Sequence, residues 1–100
     1  MNNYKIQYRF SSEPWQYKGK GSWIFVSLPK TLSKEIRLAF KKEEQGWGRL
    51  TAIAKIGTTQ WSTAIWFDSK VNTYLLPLKA EIRLKEKVEV GIKINVVILI

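Results

Sequence analysis

Short segments in which apolar and polar side chains alternate are the feature that most constrains the fold of this chain. Apolar residues occupy every second position in residues 4–11 and again in residues 49–56, with mainly polar residues between them. A period of two places successive side chains on opposite faces of a β-strand. Similar segments at 22–28, 60–67, 73–76 and 88–98 predict at least six strands in all.

Two short helices are predicted between these strands. The apolar residues of the first follow helical spacing after Thr31 and Ser33, either of which could cap its N-terminus with a side-chain oxygen. A briefer helix covers about residues 79–83. Many short strands with little helix predict an all-β (mainly β) fold, a single domain over residues 1–100 built as a small barrel.

One phrase occurs twice in the chain, as LPKTLSKEIRL in residues 28–38 and as LPLKAEIRL in residues 76–84. In each copy a predicted strand leads through Leu-Pro into a helix with Glu-Ile-Arg-Leu, and another strand follows. Chance recurrence of helix-forming residues is one explanation. We favour a structural duplication, because the flanking elements match as well. It predicts two half-barrels related by a pseudo-twofold axis, with Pro29 and Pro77 setting the two corners.

The strings YKGKGSWIFVSLPK, GWG, IGTTQWSTAIW and YLLPLKAEIR, in this order, carry a family resemblance over residues 4–94. The chain resembles a small bacterial family of unknown function, the domain-of-unknown-function family numbered nineteen-oh-five. The resemblance implies a compact β-barrel, similar more distantly to the swapped-hairpin barrels of AbrB-like regulators. Some relatives are joined to a domain linked by name to bacteriocin protection, which implies an association with that process.

The composition removes several classes of chemistry. The chain has no cysteine and no histidine, so it lacks disulfides, thiolates and the commonest general base and transition-metal ligand. Glu35 and Glu81 have arginines beside them, and Glu43 and Glu44 at the end of the first helix are expected to be solvated. No phosphate-binding glycine loop is present. We therefore predict a protein that is not an enzyme and uses no cofactor and no metal ion.

The overall charge bears on the kind of partner. The net charge is +9, which solubility alone could explain, whereas attraction to nucleic acid or to an acidic protein surface is the sharper interpretation. Neither an export signal nor an apolar run of membrane-spanning length is found, which predicts a cytoplasmic protein without a membrane span. The apolar end VVILI could pair as a strand, so a monomer or a weak dimer is expected.

Basic side chains with aromatic rings near them form the candidate partner-binding set. Its members are Trp15, Tyr17, Lys18, Lys20, Arg49 and Lys55. Such a combination suits single-stranded nucleic acid, because cations follow the backbone and rings stack on the bases. The tryptophans inside predicted strands, Trp23, Trp61 and Trp66, are expected in the core, whereas Trp15 and Trp47 are expected to be exposed.

The sequence therefore predicts a non-enzymatic binding or regulatory module. One alternative is direct nucleic-acid binding in the manner that the AbrB-like resemblance implies, with arginines against duplex phosphates. The other is a protein–protein interaction module linked to bacteriocin protection.

Overall fold

The computed structural model describes residues 6–19 and 21–100, which form seven strands and two α-helices. A single turn of 3₁₀ helix, Lys41–Glu43, follows the first α-helix, and Gly46–Gly48 forms a tight turn with left-handed backbone at Trp47 and Gly48. The strands are β1 Gln7–Ser12, β2 Trp15–Gln16, β3 Ile24–Ser27, β4 Arg49–Ile56, β5 Thr59–Asp68, β6 Thr73–Pro77 and β7 Ile94–Leu99. The helices are α1 Lys30–Phe40 and α2 Ala80–Lys85. The mainly β prediction is confirmed.

All seven strands belong to one antiparallel sheet, in the order β1-β7-β4-β5-β6-β3-β2. Its two edge strands, β1 and β2, are separated along the chain by only Glu13 and Pro14. Three residue steps span at most about 11 Å, so the two edges of the sheet must come close together. The sheet therefore curls on itself into a barrel-like shape, in which β1 and β2 act as two halves of one bent strand.

The two halves of the chain occupy corresponding places in this sheet. Strands β3 and β6 pair with each other, and each leads directly into a helix. The N–H of Leu28 donates to the carbonyl of Tyr74, and the N–H of Leu78 donates to the carbonyl of Ile24, both at 2.9 Å. Each half is thus strand, strand, helix, strand, with β1/β2, β3, α1 and β4 matching β5, β6, α2 and β7. The predicted pseudo-symmetry is visible in the strand order.

The two Glu-Ile-Arg-Leu segments, however, are not at equivalent positions. The two reciprocal backbone hydrogen bonds make Leu28 correspond to Leu78, so Pro29 corresponds to Lys79, and these two residues precede the two helices. Pro77, by contrast, is the last residue of β6. Ile82 is the third residue of its helix, and Ile36 is the seventh residue of α1. The prediction that both prolines set equivalent corners is wrong, because strand pairing determines the correspondence and the similar letters are displaced by one helical turn.

Helix α1 packs against β6 and the core, and Ser33 fastens it there. No side-chain cap is present at its N-terminus, so the predicted role of Thr31 or Ser33 is wrong. Ser33 is fully buried instead; its Oγ accepts the N–H of Tyr74 at 3.0 Å and donates to the carbonyl of Leu28 at 3.4 Å. The hydroxyl therefore joins the helix to β6 and to the residue that follows β3.

The last strand is shorter than predicted, because β7 begins at Ile94 rather than near residue 88. The ladder with β1 starts at the pair Ser12–Ile94, and β1 itself ends there, so the preceding residues have no strand to pair with. Gly91 has a left-handed φ of 84°, and its N–H donates to the carbonyl of Pro14. Within the described part of the chain, neither α-helix has the length and apolar character that crossing a membrane requires.

Candidate functional site

A cluster of aromatic and apolar side chains covers the outer face of β2, β3, β5 and β6. We call it the aromatic platform, and its members are Trp15, Tyr17, Trp23, Phe25, Trp66, Leu75 and Pro77. All of them except Trp15 line an open groove of about 410 Å³. None of the described residues that line this groove is charged. The surface is therefore apolar and suited to a flat, weakly polar partner group.

Strand register explains why these side chains meet. Val26 and Leu76 point into the core, so their neighbours Phe25, Leu75 and Pro77 point outward, since side chains alternate along a strand. Pairing then aligns the outward residues across strands. One row runs Trp15, Phe25, Pro77, and the next runs Arg49, Trp66, Leu75, Ser27.

Phe25 is the centre of the platform. Trp23 stacks on it with ring centroids 6.0 Å apart and only 10° between the ring planes. Tyr17 approaches it edge-on at 6.3 Å, and Trp15 lies tilted at 5.3 Å. The indole N–H of Trp15 donates to the Oγ of Ser27 at 2.9 Å, which fixes that ring against β3. The rings therefore hold one another in a defined arrangement.

Two tryptophans predicted to lie in the core are on this surface instead. Trp23 is 54% exposed, and Trp66 also reaches solvent, so both predictions are wrong. Each tryptophan is adjacent in sequence to a residue whose side chain faces the core. Because successive side chains of a strand point to opposite faces, both tryptophan rings face outward. The alternation itself could have identified them. Trp61 does pack against the core, as expected.

The predicted partner-binding residues are only partly brought together. Trp15 and Tyr17 belong to the platform, and Lys18 directly follows Tyr17 in the chain. The guanidinium of Arg49 lies 5.9 Å from the ring centroid of Trp66, at the edge of the platform. Lys20 lies outside the described residues.

Lys55 is distant from the platform. It shares the outer face of β4 with Arg49, but six residues of strand place their Cα atoms about 20 Å apart. Its neighbours across the sheet are Val97 and Gln60. Lys55 therefore does not lie beside the aromatic platform, although it shares a strand face with Arg49. Its predicted role in partner binding stays a prediction.

Trp47 lies at the tip of a separate loop. The backbone N–H groups of Gln45 and Arg49 donate to each other's carbonyls at 2.7 and 2.9 Å, which closes the loop beneath it. Trp47 has a left-handed φ of 65° and is 91% exposed, which confirms the expected exposure. Such a conformation costs a bulky residue free energy and recurs at functional sites.

A second groove, of about 640 Å³, lies between α1 and the turn from β5 to β6. We call it the basic groove, and its lining residues are Lys30, Lys34, Arg37, Leu38, Lys41, Phe67, Ser69 and Asn72. The opposite wall of this groove comes from a segment distant in sequence, so the sequence alone could not reveal the groove. Arg37 does not project freely into water, because its guanidinium lies 3.7 Å from the ring centroid of Phe67.

Glu44 closes the barrel end beside the basic groove. It was expected to be solvated, but its side chain is only 8% exposed and lies 3.7 Å from Arg37. The buried hydroxyl of Tyr74 donates to the Glu44 carboxylate. Burial, followed by this hydrogen bond, raises the pKa of Tyr74 well above its ordinary value. These contacts tie the segment after α1 to the sheet, which is a structural role.

Comparison with known proteins identifies a family for this chain but no activity. A family model described as "Domain of unknown function (DUF1905)" matches residues 10–98. No curated protein matches the chain. The matched span contains the whole aromatic platform and the whole basic groove. Across residues 6–19 and 21–100, no three potential metal ligands of the His, Cys, Asp or Glu type lie close enough together to hold an ion.

Proposed function

Because the chain belongs to the DUF1905 family, whose description names no activity, we propose from its own geometry that it is a non-enzymatic module that binds single-stranded nucleic acid on the aromatic platform. The observation that carries this proposal is the pair Trp23 and Phe25. Their rings are nearly parallel, and Trp23 remains more than half exposed. A ring held flat by a neighbour and open to solvent is ready for a further planar group to stack on it.

The chemistry of nucleobases matches this surface. Every base has a flat π-face, and stacking a base on an aromatic side chain contributes about 1–3 kcal/mol. In a duplex those faces are already covered by neighbouring base pairs, so the platform favours an unpaired strand. The groove offers no charge of its own, and this suits the base rather than the phosphate.

Cations beside the platform supply attraction to the backbone. Arg49 lies over the edge of Trp66, and Lys18 follows Tyr17. The chain as a whole has a net charge of +9, which raises the local concentration of a polyanion and speeds its encounter with the protein. Rings that stack and cations that flank them are the two components of single-strand binding surfaces.

Fluorescence anisotropy with a labelled oligothymidylate at low salt tests the proposal. We expect Trp23→Ala to weaken binding about tenfold, the equivalent of one lost stacking contact of about 1.4 kcal/mol. Trp47→Ala is the matched control, because it removes an exposed tryptophan outside the platform.

Arg49→Gln should lower the salt dependence of oligothymidylate binding. Lys55→Gln, with the same charge change on the same strand face, should have a smaller effect.

The outcomes separate clearly. Absence of binding at low salt and high protein concentration would exclude the proposal. Equal losses for Trp23→Ala and Trp47→Ala would also contradict it, since a general loss of apolar surface would then suffice. Stronger binding to a duplex than to the single strand would favour the duplex mode that the AbrB-like resemblance implies.

A protein partner is the second candidate, and Trp47 is the specific observation that favours it. An exposed tryptophan on a closed loop is the kind of anchor that inserts into a partner's pocket. A pull-down after nuclease treatment should then return a stoichiometric partner that Trp47→Ala loses and Trp23→Ala retains. Loss in both variants, or in neither, would exclude Trp47 as the anchor.

A further inference from the structure

The cations of the basic groove form a stripe along α1 and the 3₁₀ turn that follows it. Lys30, Lys34 and Arg37 lie on one face of α1 at intervals of four and three residues, and Lys41, four residues further on, begins the 3₁₀ turn. From the first to the last, the stripe is about 16 Å long at 1.5 Å per residue. A linear row of cations matches an extended chain of anions better than a single compact one.

This positive charge is largely uncompensated. No acidic side chain is among the described residues that line the groove. Among the described residues, the pair formed by Arg37 and Glu44 is the only ion pair. The ammonium groups of Lys30, Lys34 and Lys41 therefore have no carboxylate within 4.0 Å. Like charges on neighbouring turns repel, so the arrangement costs stability until an anion neutralises it.

The fold itself does not require these lysines. The pseudo-twofold relation matches Lys30 with Ala80 and Lys34 with Leu84, both on α2. The same helix position in the other half of the barrel is therefore occupied by uncharged residues. The stripe of cations occurs in only one half of the barrel, so the duplicated architecture does not account for it.

The basic groove and the aromatic platform both draw residues from β5, but on opposite faces of the sheet. Phe67 lines the groove and packs against the core, whereas Trp66, its neighbour in β5, faces outward and lines the platform. Asn72, in the turn between β5 and β6, lines the groove, and Leu75 lines the platform, so three chain steps place their Cα atoms no more than about 11 Å apart. A flexible ligand that passes over this turn can therefore contact both surfaces.

We propose that the basic groove receives the sugar–phosphate backbone of the same single strand whose bases stack on the platform. This inference rests on the proposed function, and it assigns the two surfaces different parts of one ligand. Phosphates lie along α1 against Lys30, Lys34 and Lys41, while the bases lie on the rings. The strand must then be longer than the platform alone requires.

Length dependence tests the inference. Oligothymidylates of about 4 and about 12 nucleotides fall within the site sizes of small single-strand binding domains. The variant Lys30→Gln/Lys34→Gln/Lys41→Gln removes three cations and leaves Arg37, which also holds Glu44. Its matched control is Lys85→Gln/Lys87→Gln/Lys93→Gln, which removes three exposed lysines outside both the basic groove and the aromatic platform.

We expect the wild-type protein to bind the longer strand at least tenfold more tightly than the shorter one. The groove variant should lose that gain and keep its affinity for the short strand. Its salt dependence with the long strand should decrease by about 2 in log–log slope, at roughly 0.7 per phosphate contact. The control variant should retain most of the gain.

Each result decides something different. If neither oligonucleotide binds, the proposed function fails, and this inference fails with it. If the short strand binds and depends on Trp23, but length adds nothing, the inference alone is overturned. If both triple variants lose the gain equally, net charge rather than the groove is responsible, and the inference is also overturned.

Discussion

Leu28 and Leu78 occupy matching positions on the two sides of the ladder between β3 and β6. The N–H of each donates to a carbonyl of the opposite strand at 2.9 Å, and each side chain is buried just before its helix begins. Two residues separated by fifty positions thus perform the same task. The reciprocal pair marks the pseudo-twofold axis of the barrel.

We predict that Leu28→Ala and Leu78→Ala destabilise the protein to a similar extent. Each removes a buried side chain from the core, which costs about 2–5 kcal/mol of unfolding free energy. Leu38→Ala and Leu84→Ala are matched controls, because both leucines are 80% exposed and should change stability by less than about 0.5 kcal/mol. Urea denaturation measures all four. A large difference between the first two variants would contradict their equivalence.

Tyr74→Phe should destabilise the protein by about 1–3 kcal/mol, because the Glu44 carboxylate then loses a hydrogen-bond donor while it stays largely buried. Tyr17→Phe is the control, since that ring is exposed at the surface. Chemical denaturation at neutral pH provides the comparison. Equal effects would show that the contact with Glu44 contributes nothing to stability.

The same tyrosine makes stability depend on alkaline pH. Its pKa is raised in the folded state above the ordinary value of 10.0, by burial and then by Glu44. Below pH 10 the phenol is protonated in both states, so this group's contribution is fully present. Above pH 10 the unfolded chain ionises first, and the contribution declines as pH rises toward the folded value. The stability difference between wild type and Tyr74→Phe should therefore shrink above pH 10; a constant difference would contradict the raised pKa.

Gly57 is predicted to be intolerant of a side chain. It has a φ of 58°, and a Cβ there would lie 2.0 Å from the Oε1 of Glu86, whose other oxygen accepts a hydrogen bond from Thr59 at 2.6 Å. Gly57→Ala adds backbone strain to the loss of that contact, at about 2–3 kcal/mol in total. Gly91→Ala shares the positive φ without a nearby atom, so it should cost about 1 kcal/mol. Thermal unfolding of both variants tests the order, and equal costs would refute the role of Glu86.

Gly19 should matter for binding rather than for stability. A Cβ at this position would lie 2.0 Å from Cε2 of Tyr17, so the ring must leave its place beside Phe25. Gly19→Ala is expected to weaken oligothymidylate binding severalfold while the unfolding free energy changes by less than about 1 kcal/mol, because the ring is exposed. Gly46→Ala, with no atom within 4 Å, is the control. Unchanged affinity in Gly19→Ala would remove Tyr17 from the site.

Alternation alone located most of the strands, because the direction of a side chain within a strand is a local property. It placed Tyr8 and Phe10 in β1 on the buried face, although residues 4 and 5 of that segment lie outside the described residues. It overextended the last strand, since alternation continues through Val90 whether or not a partner strand is available. Pairing is not local, and the end of β1 determines where β7 begins.

In the candidate site too, local sequence indicates the direction of each side chain, and strand pairing decides which side chains become neighbours. Residue type and loop position put Trp15 and Tyr17 in the predicted set, strand alternation put Arg49 there, and the alternation that turns Trp23 and Trp66 outward was already present in the sequence. What the sequence could not reveal is which outward residues become neighbours, because Trp66 meets Leu75 and Arg49 only through strand pairing. For the same reason the sequence could not reveal that Lys55 lies far from the platform.

The amino-acid sequence by itself determined the mainly β class, the two short helices, the family and the duplicated order of elements. Tertiary structure decided that Ile82 corresponds to Leu32 rather than to Ile36, and that α1 faces Phe67 and Asn72 across a groove. The physical reason is that local patterns establish which face of each element is apolar. Register and curvature, which depend on contacts between distant segments, establish what each outward side chain meets.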